Sequence, residues 1–420
     1  MPLHPRPLWS AATRLLAVLG SSLFGLCPPA DGRGLGPTIL TVDDDGPADF
    51  AEIAPAVAFA REDDVVLVAP GQYPGFTILG KGLRVLADGS GPVTISGTVL
   101  IRDLIGPQQV LLRGLSSPNG EPPLFVHTQS NLGRILIEDC WLGPRGASLS
   151  PFPGLLSQSD TSLAIVRSTV VGGTLLSSPS AGGNGQPALQ SSGSNVWCYH
   201  STFLGGPGSA PGGDGGPGIE ASNFELFCGS CVLRGGRGGD GLSCSPPGDG
   251  GNGLDQLGFV TNARWRATRA TGGAGGKATC SGAVDGAPGA AKVSSGVANT
   301  FTVIGRESRG FEVGAPITAG EPLRLEFEAP RGESVLTYIA PKLNVGQSWE
   351  LGGVSLLQLP AQTLFAGTVP ADGLLEFPHS AAMVPPGHAG AVFYLQSLFL
   401  PSGAVPPVLG PVSAALVLAP

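Results

Sequence analysis

The chain has 420 residues, of which 67 are glycine and 40 proline; 42% are hydrophobic, only 13% are charged, and the formal net charge is -8. Such a composition argues against a helical bundle, a coiled coil and a charge-rich nucleic-acid binder, while its hydrophobic fraction exceeds that of an ordinary disordered chain. With no Gly-X-Y period, collagen is excluded too, which leaves a β-rich, turn-dense protein of about two domains.

In chain order, residues 1–30 come first. Arg6 and Arg14 precede a mostly apolar run from Leu15 to Leu26, followed by Cys27-Pro28-Pro29-Ala30. A basic start, a short apolar core and a helix-ending exit are the order of a secretory signal peptide. The apolar core is too short to span a bilayer, and no later segment reaches spanning length. The mature chain is therefore expected to be secreted or in the cell envelope, without a transmembrane segment. Six of the seven cysteines lie in the mature part. Cys228-Gly-Ser-Cys231 is a lone CxxC without a second pair or nearby histidines, so buried thiols are expected there in place of zinc.

The middle of the chain repeats. Ile135-Leu-Ile-Glu-Asp-Cys-Trp-Leu142, Ala164-Ile-Val-Arg-Ser-Thr-Val-Val171, Trp197-Cys-Tyr-His-Ser-Thr-Phe-Leu204, Leu226-Phe-Cys-Gly-Ser-Cys-Val-Leu233 and the stretch Ala263 to Ala270 align on Cys140, Thr169, Thr202, Cys231 and Thr268. A weaker copy begins at Val110. Alternation of period two marks strands with one inward face. A short strand cannot bury that face alone, whereas stacked strands build a continuous core. Coils of roughly 25 to 35 residues of this kind describe a parallel β-solenoid. On this alignment the inner columns are Ile135, Ala164, Trp197, Leu226, Ala263 and Ile137, Val166, Tyr199, Cys228, Trp265. Because Leu136, Ile165, Cys198 and Phe227 are apolar as well, the inward parity stays open, with the second column under a loop or another domain.

The N-terminal stretch carries Thr38-Ile-Leu-Thr-Val-Asp-Asp-Asp45, then Asp49-Phe-Ala-Glu-Ile-Ala-Pro-Ala-Val-Ala-Phe-Ala60, then Asp63-Asp-Val-Val-Leu-Val-Ala-Pro-Gly-Gln-Tyr73. Together with the repeat, residues 36–305 resemble the right-handed parallel β-helix proteins of the pectin-lyase-like superfamily, in an exported, planctomycete-type subgroup. The resemblance implies a first strand, a short capping helix and a first coil ending in a Pro-Gly-x-Tyr turn. A cap is physically reasonable, since an open solenoid end exposes unpaired strand edges, although Pro55 inside the helix shortens it. The superfamily holds lyases, hydrolases and adhesins, so fold implies no activity. Its enzymes typically carry paired aspartates, a Gly-His-Gly and an Arg-x-Lys segment, or an acidic calcium cluster, and these coils have none of those patterns.

Glycine-rich excursions follow four of the anchors, among them Gly212-Gly-Asp-Gly-Gly-Pro-Gly218 and Gly248-Asp-Gly-Gly-Asn-Gly253. Their repeated Asp-Gly-(Gly/Ala)-x-Gly element reads as one turn type reused on successive coils. Gly235 to Ser243 matches a calcium nonapeptide, but the equivalent aspartate position is Ala210 in the preceding loop and Lys277 in the following one. Asp214, Asp240, Asp249 and Asp285 are thus candidate calcium ligands, with solvent-facing turns as the simpler reading. No other cofactor is indicated. Cys244 and Cys280 occupy similar places in consecutive loops and are a candidate disulfide in an exported chain.

Chemistry is sparse. Gly75-Phe-Thr-Ile-Leu-Gly-Lys81 fits GxxxxGK, but Gly82 replaces the magnesium-holding hydroxyl and strand-forming residues fill the loop, so it is no phosphate site. Asp43-Asp-Asp45 is the one dense acidic cluster and reads as turn chemistry. The alignment places Arg113, Glu138, Arg167, His200, Gly229 and Arg266 in one outward column. Stacked strands stand about 4.8 Å apart, so these side chains form a ladder. In a carbohydrate-active β-helix, such arginines would pair with uronate carboxylates, and His200 or Glu138 would serve as acid or base. Glycine at 229 interrupts the ladder.

Past Gly305 the glycine loops stop. Alternating stretches such as Leu323 to Phe327, Val335 to Ile339 and Ala391 to Leu400 suggest a small antiparallel β-sandwich over 306–420, and Pro386 to Gln396 is similar to C-terminal modules of exported planctomycete-type proteins. The reading that follows is an exported, non-catalytic β-helix for surface structure, adhesion or glycan binding, with polysaccharide and no nucleic acid as partner. The alternative is a polysaccharide lyase or glycoside hydrolase acting on acidic polysaccharide along the charged column.

Overall fold

The computed structural model describes residues 37–418 apart from 120–121, 146–149, 176–181, 223–224, 259–261, 296–298, 306–308, 314–316, 319–322, 349–352, 359–360, 380–390 and 403–405. The expected signal peptide, the segment Arg306-Glu307-Ser308, the first five residues of Pro386 to Gln396 and, among them, His388 therefore fall outside the described residues. Pro37–Pro420 forms one compact unit, so the compositional change near Gly305 marks a change of topology within it.

Residues 37–305 build a parallel β-solenoid with three faces. The first face is a sheet of ten parallel strands running from Ile39–Val42 through Arg134–Glu138, Ser162–Val166, Asn195–Tyr199 and Glu225–Gly229 to Asn262–Arg266 and Thr300–Gly305. The second face carries short strands such as Trp141–Leu142, Thr169–Val171 and Thr202–Leu204. The third carries Leu124–Gln129, Leu155–Gln158, Leu189–Ser192, Ile219–Ser222 and Leu254–Gln256. The strand Val93–Arg102 belongs to both the second and third faces, bending at Gly97, whose φ of +96° suits glycine. One seven-residue helix, Ile53–Phe59, buries Ile53, Ala56 and Val57 against the first coils. Lys81 Nζ donates to the carbonyls of Val57 and Ala60 at its C-terminal end, the end at which a cation is favourable.

The core follows from stacking. On the first face, Val110, Ile135, Leu163, Val196, Leu226 and Ala263 form one inward column; Leu112, Ile137, Ile165, Cys198, Cys228 and Trp265 form the other. This corrects the sequence alignment in two coils. Ala164, Trp197, Val166 and Tyr199 belong to the outward columns, because Ser168 and Ser201, not Thr169 and Thr202, stand in the place of Cys140, Cys231 and Thr268. Those serines receive and give the corner hydrogen bonds: Cys140 N donates to Ser168 Oγ, Ser168 N to Ser201 Oγ, and Cys231 N to Thr268 Oγ1. A one-residue slip in a period-two strand exchanges its faces. The position just before this corner residue is left-handed in every coil: Gly114, Asp139, Arg167, His200, Ser230 and Ala267 all have φ between 45° and 74°.

Outside the first face, an apolar outward column of Leu111, Leu136, Ala164, Trp197 and Phe227 is covered by Val354, Leu356, Tyr394, Val412, Ala414 and Leu416 from the C-terminal part. There, Ser334–Ala340 pairs antiparallel with Gln362–Thr368 and Val392–Leu400, which in turn pairs with Val408–Leu418. Leu323–Glu328 lies between Gly310–Val313 and Leu374–His379. Gln109 fastens the two parts as a strand would, donating to Leu343 O and accepting Leu343 N.

The glycine-rich loops are not a series of turns. Outward-going segments 205–209, 235–241 and 272–277 and returning segments 213–218, 248–253 and 286–291 are extended and bonded every third residue. Gly235, Gly238 and Gly241 donate to Thr271, Ala274 and Lys277 of the next coil. A three-residue repeat without internal hydrogen bonds is polyproline-II geometry. The second glycine of each pair bonds across to the opposite layer. Gly216 N donates to Gly206 O, Gly236 N to Gly216 O, Gly251 N to Gly236 O, Gly273 N to Gly251 O and Gly289 N to Gly273 O, all near 2.8–2.9 Å. Two of three positions therefore face a neighbouring backbone, and the third faces out. The Gly-Gly-x spacing was the sequence signal for this slab; a glycine period of three is present after all, confined to these loops.

Candidate functional site

The predicted charged column does not line a groove. Glu138 is fully buried beneath the C-terminal strand Val408–Leu418. Its carboxylate accepts Arg167 Nη2 at 2.5 Å, Ser413 Oγ at 2.7 Å and Ala414 N at 3.1 Å. Arg113 pairs with Asp139 at 3.2 Å and also donates to Ala414 O. Arg167 pairs with Asp139 at 2.8 Å and donates to Phe311 O. His200 Nε2 donates to Arg309 O at 2.7 Å, and burial holds its pKa below the ordinary imidazole value. Arg167 and His200 occupy the left-handed corner one step beyond the row of Arg113, Glu138, Gly229 and Arg266. Tyr199, in that row, is buried and its hydroxyl accepts Val354 N. These residues join the solenoid to the C-terminal strands, so a polymeric substrate has no path along them.

Asp214, Asp240 and Asp249 occupy outward positions of the slab, and Asp285 stands just before the returning segment of the last loop. Asp214 Oδ1 accepts Asp249 N, Asp249 Oδ1 accepts Ala287 N, Asp240 Oδ1 accepts Lys277 N, and Asp285 accepts Ala278 N and pairs with Lys277 at 2.7 Å. Asp214, Asp240 and Asp249 lock one coil to the next, while Asp285 ties together the two limbs of its own loop. Among the described residues, the group of three possible metal ligands within reach of one another is Asp43, Asp44 and Asp45, not this set. Cys244 and Cys280 are bonded, with Cα atoms 5.2 Å apart, and staple the outer ends of consecutive loops. Cys140, Cys198, Cys228 and Cys231 are buried thiols; burial pushes Cys140 up to about 12, which leaves it unreactive.

The third face is where side chains of suitable chemistry remain accessible. Its parallel strands bring His127, Leu156, Gln190, Glu220 and Asp255 into one outward row, and Gln129, Gln158, Ser192 and Ser222 into the next. All are at least partly exposed. Gln190 Nε2 donates to Glu220 Oε1 at 2.8 Å, Asn252 Nδ2 donates to Asp255 Oδ1 at 2.7 Å, and His127 Nε2 lies 3.1 Å from Gln158 Oε1. Partial burial first, and the neighbouring Glu220 charge as a lesser cause, raise the Asp255 pKa. At one end Phe125 stacks on Phe152 at 5.1 Å and on His127 at 6.0 Å, and Phe152 is half exposed. The sequence alignment missed this row because it was anchored on the first face. A second repeat marks it: Gly154-Leu-Leu-Ser157, Ala188-Leu-Gln-Ser191, Gly218-Ile-Glu-Ala221 and Gly253-Leu-Asp-Gln256.

Beneath the third face lies a polar knot. Asp160 is 1% exposed and accepts Ser157 Oγ at 2.6 Å and Asn131 Nδ2 at 2.7 Å, as well as Thr128 Oγ1. Its pKa is raised by burial, which these donors oppose. Such a satisfied network holds the corner in place and is closed to ligands.

No protein-family model matches the sequence, and no curated protein matches it significantly. The class the fold defines is thus a parallel β-solenoid with an attached antiparallel region; among the described residues no helix is long and apolar enough to cross a membrane.

Proposed function

We propose that this is an exported, non-catalytic β-helix of the cell surface or envelope that binds glycan along its third face. In this reading the Ile53–Phe59 helix caps the solenoid, and the C-terminal strands form a sandwich that closes the first face. The observation that carries it is the row of amide, carboxylate and imidazole groups at strand spacing beside an exposed phenyl ring. Amides donate and accept in pairs, and an aromatic face offers apolar contact to the ring of a sugar. The Cys244–Cys280 bond suits an oxidising compartment, and the slab, held by backbone bonds, suits a rigid surface structure.

Binding to a panel of neutral and acidic polysaccharides tests this. The triple variant Gln190→Ala, Glu220→Gln, Asp255→Asn is expected to lose at least tenfold in affinity while remaining folded. Unchanged binding would sink the assignment to this face. Fractionation of the producing cells, with sequencing of the mature N-terminus, tests export.

One observation favours the enzymatic alternative, moved to a new place. Glu220 and Asp255 are in register on adjacent strands, about 4.8 Å apart in backbone. Both side chains are outward on the same face, and Asp255, with its raised pKa, would be the acid. Release of reducing sugar or unsaturated ends, abolished by Asp255→Asn, would establish it over simple binding.

A further inference from the structure

The start of the first-face strands carries a polar row: Gln109, Arg134, Ser162, Asn195, Glu225, Asn262 and Thr300, one residue per strand. Most of it is already engaged. Gln109 is bonded to Leu343, Asn262 donates to Glu225, and Thr300 donates to Asn262. The stretch from Arg134 to Asn195 instead opens into a depression of about 210 Å³ at the seam with the C-terminal strand Leu343–Ser348. Asn344 and Trp197 complete its wall, with Leu132, 65% exposed, at the mouth.

Arg134 gives this pocket its character. Its two terminal nitrogens donate to neutral acceptors, Nη1 to Gly106 O at 3.1 Å and Nη2 to Asn344 Oδ1 at 2.8 Å. Among the described residues it has no carboxylate partner within ion-pair distance, unlike Arg113, Arg167 and Arg309. Partial burial lowers its pKa, in keeping with a cation that has lost water without gaining a counter-charge. A guanidinium has five donors in a planar fork that suits a carboxylate, and these two bonds leave three. Ser162, the Asn195 side-chain oxygen and the Asn344 side-chain nitrogen supply partners for hydroxyl groups. The volume lies below that of ordinary drug-sized pockets, which limits the occupant to about one ring.

We propose that the seam pocket binds one carboxylate-bearing sugar ring, a hexuronate, with its carboxylate on Arg134 and its hydroxyls on Ser162, Asn195 and Asn344. The site is on a different face from the glycan row and does not depend on that reading. Its ligand is either a free sugar acid or the terminal unit of an acidic polysaccharide.

The test is calorimetric titration of the full mature chain with galacturonate, glucuronate, a trigalacturonate and neutral galactose. Uronate binding is expected to be at least tenfold tighter than galactose binding, to weaken as salt is raised, and to fall at least tenfold in Arg134→Ala and less in Arg134→Lys. Binding of the monomer acid identifies a free-acid site, and binding of the trimer alone identifies a chain-end site; either, if it depends on Arg134, supports the proposal. Equal affinity for galactose, or no uronate binding, overturns it. Should Arg134→Ala fail to fold, Asn344→Ala and the salt dependence of the wild type carry the same decision. The third-face triple variant is expected to retain this binding, so the two assignments fail separately.

Discussion

The Glu138 carboxylate and the Arg167 guanidinium, contributed by neighbouring coils, meet at 2.5 Å in a seam where Glu138 has no solvent exposure. Removing one partner of a buried pair strands the other charge and costs about 3–5 kcal/mol. Asp139 remains to neutralise part of the two arginines, so Glu138→Ala is expected at the lower end, about 3 kcal/mol. Urea unfolding measures it. The double variant Glu138→Leu, Arg167→Met is expected to recover most of the loss, because it removes both charges together. An equal or larger loss in the double variant would show that the pair itself stabilises the seam.

The slab makes a sharp distinction between neighbouring residues. A Cβ on Gly236 would lie 1.9 Å from Gly206 O, and one on Gly273 would lie 1.8 Å from Gly236 O. Gly236→Ala is therefore expected to open the layers locally, seen as faster hydrogen exchange across 205–253 with the first-face strands still protected. Arg237→Ala, next in sequence but outward and exposed, is expected to change stability by less than about 1 kcal/mol.

Reduction of Cys244–Cys280 releases a loop with a sequence separation of 36, for which chain entropy alone gives about 4 kcal/mol. Both loops are already held by backbone bonds, so the measured loss of stability of the Cys244→Ala, Cys280→Ala variant is expected to be smaller. Protease cleavage should rise first between 241 and 247 and between 278 and 285.

His200 adds a pH dependence. Its folded pKa is lowered by burial, while the unfolded chain titrates near the ordinary 6.5. As pH falls below 6.5 the unfolded state takes up the proton first, and stability is lost until the folded pKa is passed. Comparing urea midpoints at pH 7.5 and 5.0, the wild type should lose more than His200→Gln, whose amide can still donate to Arg309 O. Identical pH slopes would mean that His200 does not titrate in this window.

Asp160 works in the opposite sense. Its raised pKa means that the folded state binds a proton more readily than the unfolded one. Its unfavourable ionised contribution is present at neutral pH and is relieved as pH falls through the folded value towards the ordinary aspartate value. Measured against Asp160→Asn, the wild type should gain relative stability between pH 7 and pH 4.

Much of this molecule follows from local pattern. Period-two strands with small polar corners, from Ile135 to Trp265, require stacking into a solenoid, since none of them can bury its face alone. The similar positions of Cys244 and Cys280 in consecutive loops were likewise legible. Parity was not, because both faces of Leu163 to Val166 and of Val196 to Tyr199 are apolar. Only the partner surface decides which column turns inward, and that surface lies some two hundred residues downstream. The same covering strands turned the Arg113 to Arg266 column from an expected groove into a seam. They also left Arg134 at the edge of that seam without a counter-charge among the described residues, and left the row of Gln190, Glu220 and Asp255 uncovered on another face. Composition and periodicity act within a coil and determined the coil. What each outward face meets depends on contacts between distant segments, and those exist only in the folded chain.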